Sequence, residues 1–214
     1  MTVHDERSTD PQDYQGLPQA IGLMSKSFAD GFVIPLHEHE RDQLLYAAGG
    51  IMRLRTEAEA WIVPRDSAVY IPAGTHHAVS MHGNVEMRTL YIDTAATDAR
   101  RRDLSVVAVS PLLRELVLAL SEEPMVYDPD SRGGLIAQLI ELEIGRAREL
   151  SLKVPLPKDA RLQRLCAGLL ADPSDRRTLE AWSGVAGASA RTLARLFERD
   201  LGMSFNRWRQ RIRF

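Results

Sequence analysis

The sequence has 214 residues, 44% hydrophobic and 26% charged, with a formal net charge of −2. That is chain enough for one large domain or two small ones, with the composition of an ordinary globular protein. No run of about 18 apolar residues occurs, so no helical membrane span is expected. The polar, acidic stretch Met1–Asp13 lacks the apolar core of a signal peptide, and a cytoplasmic protein follows. The single Cys166 excludes an intramolecular disulfide and a multi-cysteine metal site. Its apolar helical setting makes it a small buried hydrophobe.

The small net charge hides an asymmetry. Residues 1–150 carry 14 basic and 23 acidic side chains; residues 151–214 carry 13 and 6. A basic C-terminal part beside an acidic N-terminal part suits a chain in which one end meets a polyanion. A solvated charged surface accounts for the same numbers.

Residues 1–18 read as a flexible N-terminus, with His4 on the surface. From Ala20 to Asp93 the pattern is strand-like. Gln43–Tyr46, Ile51–Arg55, Ala60–Val63, Ala68–Ile71 and Glu86–Ile92 are separated by Gly, Pro or polar turns. In Ile51–Arg55 the alternation points Met52 and Leu54 inward, which demotes Arg53 as a pocket group. Strands at this spacing predict a sandwich or barrel over residues 19–109.

After Asp93 the period changes from that of strands to that of helices. Ser110 is a good N-cap and Pro111 suits the first helical position, with Leu112, Leu113, Leu116, Val117 and Leu120 as an apolar stripe. A second helix is predicted over Arg132–Leu150. Its apolar residues exceed one face, so the pair over 110–150 is read either as intradomain core or as a homodimer seam. The proline-stiffened residues 151–158 read as a linker.

Residues 159–214 read as helical throughout. Asp159 caps a helix carrying Leu162, Leu165, Cys166, Leu169 and Leu170. Thr178 caps the next, with Leu179, Trp182 and Val185 inward. Gly187-Ala188-Ser189 breaks the chain sharply, and Ser189 caps a third helix over Ala190–Asp200. That helix buries Leu193, Leu196 and Phe197 and presents Arg191, Thr192, Arg195 and Arg199. Two short helices about a glycine turn form a helix-turn-helix, the second able to enter a major groove. Arginines early on that helix would meet base edges and later ones phosphates.

The segment Thr178-Leu-Glu-Ala-Trp, Gly187-Ala-Ser-Ala-Arg-Thr-Leu-Ala-Arg-Leu-Phe197, Leu201-Gly-Met-Ser-Phe-Asn-Arg-Trp-Arg-Gln-Arg resembles the first helix-turn-helix of AraC/XylS regulators. By that resemblance Ser189, Ala190, Arg191, Thr192, Arg195 and Arg199 are the candidate DNA-binding residues, and Ser204 caps a connecting helix over Phe205–Phe214. The family's unit has a second such motif after that helix. This sequence stops at Phe214, so only the first half of the unit is expected here. Ala186 stands where a larger aliphatic residue is usual.

Gly31-x5-His37-x-His39-x3-Gln43-x6-Gly50 resembles the first cupin motif, with Gln43 where glutamate is usual. Pro72-Ala-Gly-Thr-His-His77 resembles the second, with Asp66 where glycine is usual and Met81 where asparagine is usual. The two motifs match the sensor domain of some AraC-type regulators. His37 and His39, two apart on a strand, share a side, and His77 arrives from another strand. Three imidazoles with Gln43 as a weak neutral fourth group suit Zn, Ni, Fe or Mn. The same residues can line a metal-free effector pocket, or be a remnant without a role. Tyr46, Trp61 and Tyr91 are further pocket candidates.

The expectation is an α+β chain: a cupin-like β-sandwich or barrel with a helical pair, then an all-α helix-turn-helix segment. Its function is sequence-specific regulation of transcription on double-stranded DNA by a homodimer that responds to a small-molecule effector or metal, without enzyme activity or a membrane partner. The alternatives are a metal-dependent cupin enzyme, oxygenase or isomerase, and a DNA-binding-deficient chain that forms mixed dimers. No nucleophile elbow or phosphate-cradling glycine loop is present.

Overall fold

The structure, a computed structural model, describes residues 7–64, 66–95 and 103–213. It is a mixed α+β chain whose contacts divide it into two compact units. The first comprises residues up to Leu54 with Val63–Ser151; the second comprises Arg55–Ile62 with Leu152–Phe214. His4 lies outside the described residues. Among those described, no helix is long and apolar enough to cross a membrane.

The first unit is a cupin-like antiparallel sheet. Its strands are β1 (Ile21–Phe28), β2 (Val33–His37), β3 (Asp42–Arg55), β5 (Ser67–Ile71), β6 (His77–Ile92), β7 (Ser105–Ala108) and β8 (Glu149–Leu150). They run in the order β1-β6-β3-β5-β7-β8, and β2 also pairs with β6. Successive side chains on a strand face opposite sides. One side, with Ile21, Leu23, Leu44, Tyr46, Leu90, Ile92 and Val107, packs against α1 (Pro111–Leu120) and α2 (Arg132–Arg146). Ser110 caps α1 as predicted, and its hydroxyl also donates to Glu143 of α2 at 2.6 Å.

The separate strands predicted at 43–46 and 51–55 are two halves of the single strand β3. Gly50 makes the continuity possible. It has φ +78°, and a Cβ there would lie 2.6 Å from the Asn84 carbonyl oxygen. Only glycine lets β3 bend so close to β6 without breaking. Met52 and Leu54 are buried as the alternation requires.

Three sequence expectations are corrected. Residues 7–18, expected to be loose, have defined structure: Pro11–Tyr14 form a short 3-10 helix capped by Asp10, and Tyr14 is fully buried. Arg41 fixes this segment, donating to the carbonyls of Gln15, Leu17 and Gln19. Residues 1–6 lie outside the description. The helix expected to Leu150 ends at Arg146, because Glu149 and Leu150 pair with Val107 and Val106 of β7. Sheet pairing here overrides helix propensity. Within the expected linker, Lys153–Pro155 form strand β9, which pairs with β4 (Glu59–Val63) in the second unit.

The second unit otherwise holds four helices: α3 (Ala160–Ala171), α4 (Leu179–Ala186), α5 (Ala190–Leu201) and α6 (Phe205–Arg211). Leu162, Leu165, Cys166, Leu169, Trp182, Leu193, Leu196, Phe197 and Trp208 form its buried interior. Trp208 donates its indole proton to the Pro155 carbonyl at 2.9 Å, tying α6 to β9. Cys166 is buried as expected, which pushes its thiol pKa up.

Asp66 is the non-glycine residue with positive φ among the described residues, at +62°. This explains the usual glycine of the resembling motif. Left-handed backbone costs an L-residue roughly 1–2 kcal/mol. Asp66→Gly is therefore expected to raise the first unit's stability by up to about 1 kcal/mol, and Asp66→Val to lower it; thermal unfolding of the two variants checks the sign.

Candidate sensor pocket and nucleic-acid interface

The sheet side away from α1 and α2 carries a cavity of about 280 Å³. His37 ends β2 and His77 begins β6, and the register places them opposite one another. His39 is not on the strand with His37, as the sequence suggested, but in the loop after it. There its carbonyl accepts from Gly74 N at 2.9 Å, which draws it toward the turn that precedes His77. The three imidazoles still converge, each offering a ligand atom within 4.8 Å of the others. Ring centroids are 4.3 Å apart for His37–His77, 4.8 Å for His37–His39 and 5.7 Å for His39–His77.

The hydrogen bonds of these rings set their tautomers. His37 Nδ1 lies 2.7 Å from the Pro35 carbonyl and His77 Nδ1 lies 2.8 Å from the Thr75 carbonyl. A carbonyl only accepts, so each Nδ1 carries the proton and each Nε2 keeps its lone pair for the cavity. The buried atoms His77 Nε2, both ring nitrogens of His39 and Gln43 Oε1 have no hydrogen-bond partner among the described residues. Burial, followed by the neighbouring His37 and His77, pushes His39 down to about 4. Burial, partly opposed by the Thr75 bond, does the same for His77. His39 and His77 held down in this way are ready to ligate as neutral imidazoles, and the Pro35 bond at Nδ1 leaves Nε2 as the ligand atom of His37. Clustered nitrogen donors and an orphaned amide oxygen fit a divalent transition metal, with His37, His39 and His77 as ligands and Gln43 beside them.

Of the other pocket candidates, Tyr91 lines the cavity. It stacks on Tyr14 at 5.4 Å and stands edge-on to His39 at 5.2 Å. A hydrogen bond joins it to Gln43, and burial pushes its phenol pKa up. Because Gln43 Oε1 is orphaned, its amide nitrogen is the donor to Tyr91. Tyr46 is not a pocket residue. It belongs to the core with α1 and α2, because on β3 it lies an odd number of residues from Gln43. Trp61 is not one either: it is buried on β4 in the second unit, opposite Lys153. Sequence reasoning missed the rest of the lining. Met24, Leu45, Val79 and Met87 follow from the same strand alternation, whereas Asp10, Pro11 and Gln12 arrive from a segment expected to be loose.

In the second unit the turn between α4 and α5 is fixed at both sides. Gly187 closes α4 with φ +71°, the left-handed conformation open to glycine. Arg164 of α3 donates to the Ala186 carbonyl at 2.7 Å, satisfying a free acceptor at that helix end. Ser189 caps α5, its hydroxyl accepting from Thr192 N at 3.3 Å and lying 3.0 Å from the Thr192 hydroxyl. Val185 is not inward but 49% exposed; Ala186 is buried instead, one turn from Trp182 on the same face. Gly168 makes room for Trp182, whose ring would lie 2.5 Å from a Cβ at that position. Arg177 lies over the ring, its guanidinium carbon 3.7 Å from the centroid.

The outer face of α5 exposes Arg191 and Arg195, which form no ion pair among the described residues, while Ala190 and Thr192 are half-buried beside them. Arg199 differs. It binds Asp200 at 2.8 Å and approaches the α3 cap Asp159 at 3.8 Å, so its charge is already engaged. Arg161, bonded to Asp159 through side chain and backbone, holds that carboxyl well below the usual carboxylate range. The connecting helix α6 is capped by Ser204 as expected and covers Phe205–Arg211, shorter than predicted; Phe214 lies outside the described residues.

Residues 26–93 match the Cupin domain family. The HTH-type transcriptional regulator NimR of Escherichia coli is 27% identical over 193 residues, covering 90% of this chain and 70% of that protein. The HTH-type transcriptional regulator RipA of Corynebacterium glutamicum is 38% identical over 55 residues, 26% of this chain and 17% of that one. Apo ToxT from Vibrio cholerae aligns over 92% of this chain and 80% of its own, at 10% identity and a TM-score of 0.45.

Ser189 holds the start of α5 through one side-chain oxygen. Ser189→Ala is expected to cost the second unit about 1 kcal/mol, read as a lower unfolding midpoint in urea.

Proposed function

We propose that the chain is a cupin-domain DNA-binding regulator of the AraC-like type, in which α5 reads double-stranded DNA and the histidine pocket senses an effector, a reading supported by the cupin match and the likeness to HTH-type regulators. On this reading residues 19–109 are the sensor, 110–150 the dimerising pair and 159–214 the DNA-reading segment.

The observation that carries the DNA role is the outer face of α5. Its 12 residues make a rod of roughly 18 Å, suited to a major groove. Ser189, Ala190, Arg191 and Thr192 stand at its N-terminal end, the end that meets base edges in this docking mode. Arg191 and Arg195 form no ion pair among the described residues and are available for guanine edges or phosphate. Arg199 acts instead as a brace between α5 and the start of α3. In a selection from a random duplex pool the protein enriches a defined sequence, and its affinity falls steeply with salt. Arg195→Ala weakens the selected duplex by roughly 5- to 100-fold, the range for losing a base-edge arginine. Arg199→Ala has a much smaller effect, measured by fluorescence anisotropy. Loss of equal size in both variants would remove the distinction.

The sensor role rests on the three converging imidazoles. A divalent transition metal held by His37, His39 and His77 would supply a Lewis-acidic anchor for an effector. The residues do the positioning: Pro35 and Thr75 carbonyls orient two rings, and Tyr91 orients Gln43. His77→Ala is expected to weaken zinc binding at least about tenfold, by competition with a chromophoric chelator.

Dimerisation rests on α2. Leu135, Leu139 and Leu142 lie at i, i+4 and i+7 on its outer side and are exposed, as is Leu112 on α1. A self-complementary apolar stripe suits a twofold homodimer. Leu139→Glu with Leu142→Glu is expected to convert a dimer to a monomer in analytical ultracentrifugation, leaving the far-UV circular dichroism spectrum unchanged.

A further inference from the structure

We infer that the histidine pocket, when it holds its metal, takes a small apolar monoanion, and that Gln43 is the residue that selects for it. The inference rests on the metal-binding reading of this pocket.

It follows from the charge of the donors. An imidazole ligates only as a neutral donor, His37 and His77 through the Nε2 left by their Nδ1 bonds to backbone carbonyls, and Gln43 is an uncharged amide. Among the described residues no carboxylate joins the histidine group. Two acids do stand on the cavity wall, Asp10 and Glu38, but both are engaged. Asp10 Oδ1 accepts from Gln12 N at 2.9 Å as a helix cap, and Glu38 faces His76 at 2.9 Å. A divalent ion on these donors would have none of its charge compensated by a ligand, beside donor atoms that are themselves buried, which is costly. An anionic ligand removes that charge on binding.

The rest of the wall sets the ligand's body. Met24, Leu45, Val79 and Met87 are apolar, and about 280 Å³ lies at the lower end of ligand cavities. A polyol would bury hydroxyls against these side chains without partners. Among the described residues no Lys or Arg lines the cavity, so a free acid meets no cation there without the metal. Anion binding is therefore metal-dependent, and a negative charge at position 43 would replace the anion.

The test uses the full chain and calorimetric titration with acid and amide pairs: acetate and acetamide, butyrate and butyramide, benzoate and benzamide. Protein loaded with one equivalent of zinc is expected to bind at least one acid about tenfold or more tighter than its amide, and metal-free protein to show no such preference. Gln43→Glu is expected to retain zinc, by elemental analysis after dialysis, and to lose the preference. Zinc retained without acid preference, or a preference unchanged in Q43E, overturns the anion inference and leaves the metal reading standing. Failure of the unaltered protein to retain zinc overturns both. Should Q43E not fold, the acid–amide difference of the unaltered protein decides alone.

Discussion

The sheet of the first unit is used on both sides, and the two-residue period of extended backbone decides what each side chain can do. On β3, Leu44 and Tyr46 meet α1 and α2 while Gln43 and Leu45 meet the cavity. On β6, Leu90 and Ile92 join the helices while Tyr91 turns to the histidines. A shift of one residue in either strand would exchange the sides entirely. The hydrophobic packing of the helical pair thus holds the register, and the register places the polar cluster. Stability and candidate chemistry are coupled through the pleat and not through any direct contact between helices and histidines.

Within the pocket, polarity is concentrated in one place. His37, His39, His77 and Gln43 cluster in a cavity whose remaining wall is apolar apart from the exposed Asp10, Gln12 and Glu38 and the phenol of Tyr91, and several atoms of the cluster are buried without partners among the described residues. Such atoms are expensive unless something satisfies them. Tyr14, Tyr91 and the Arg41-held segment press close from the N-terminal side, so the arrangement is packed and its ring orientations are fixed. A preorganised set of neutral donors is what a metal or effector site requires.

The second unit solves a different problem: presenting one helix face rigidly from a small core. Each of its helices is capped by its own sequence, with Asp159, Thr178, Ser189 and Ser204 as N-caps and Gly187 and Gly202 as left-handed ends. Charges then sort into bracing and free groups. Arg164, Arg177 and Arg199 are spent on a carbonyl, an aromatic ring and carboxylates respectively, whereas Arg191 and Arg195 are left outward. A basic surplus in the sequence therefore overstates the charge available to a polyanion.

Local signals in the sequence determined the capped helices α1, α3, α4 and α5, the glycine turn, and the burial of Met52 and Leu54, because caps, turns and periodicity act over a few residues. The sequence also contained, unread, the reason Tyr46 cannot share the cavity with Gln43. Only the tertiary structure decided the rest. Leu150 leaves a helical pattern because β7 offers it backbone partners; Asp10–Gln12 reach the cavity because Arg41, distant in sequence, holds their segment. Trp61 belongs to the second unit because β4 pairs with β9, and Arg199 is engaged because the cap of α3 lies within its reach. Each of these depends on a contact between residues far apart in the chain, which no pattern of neighbours encodes.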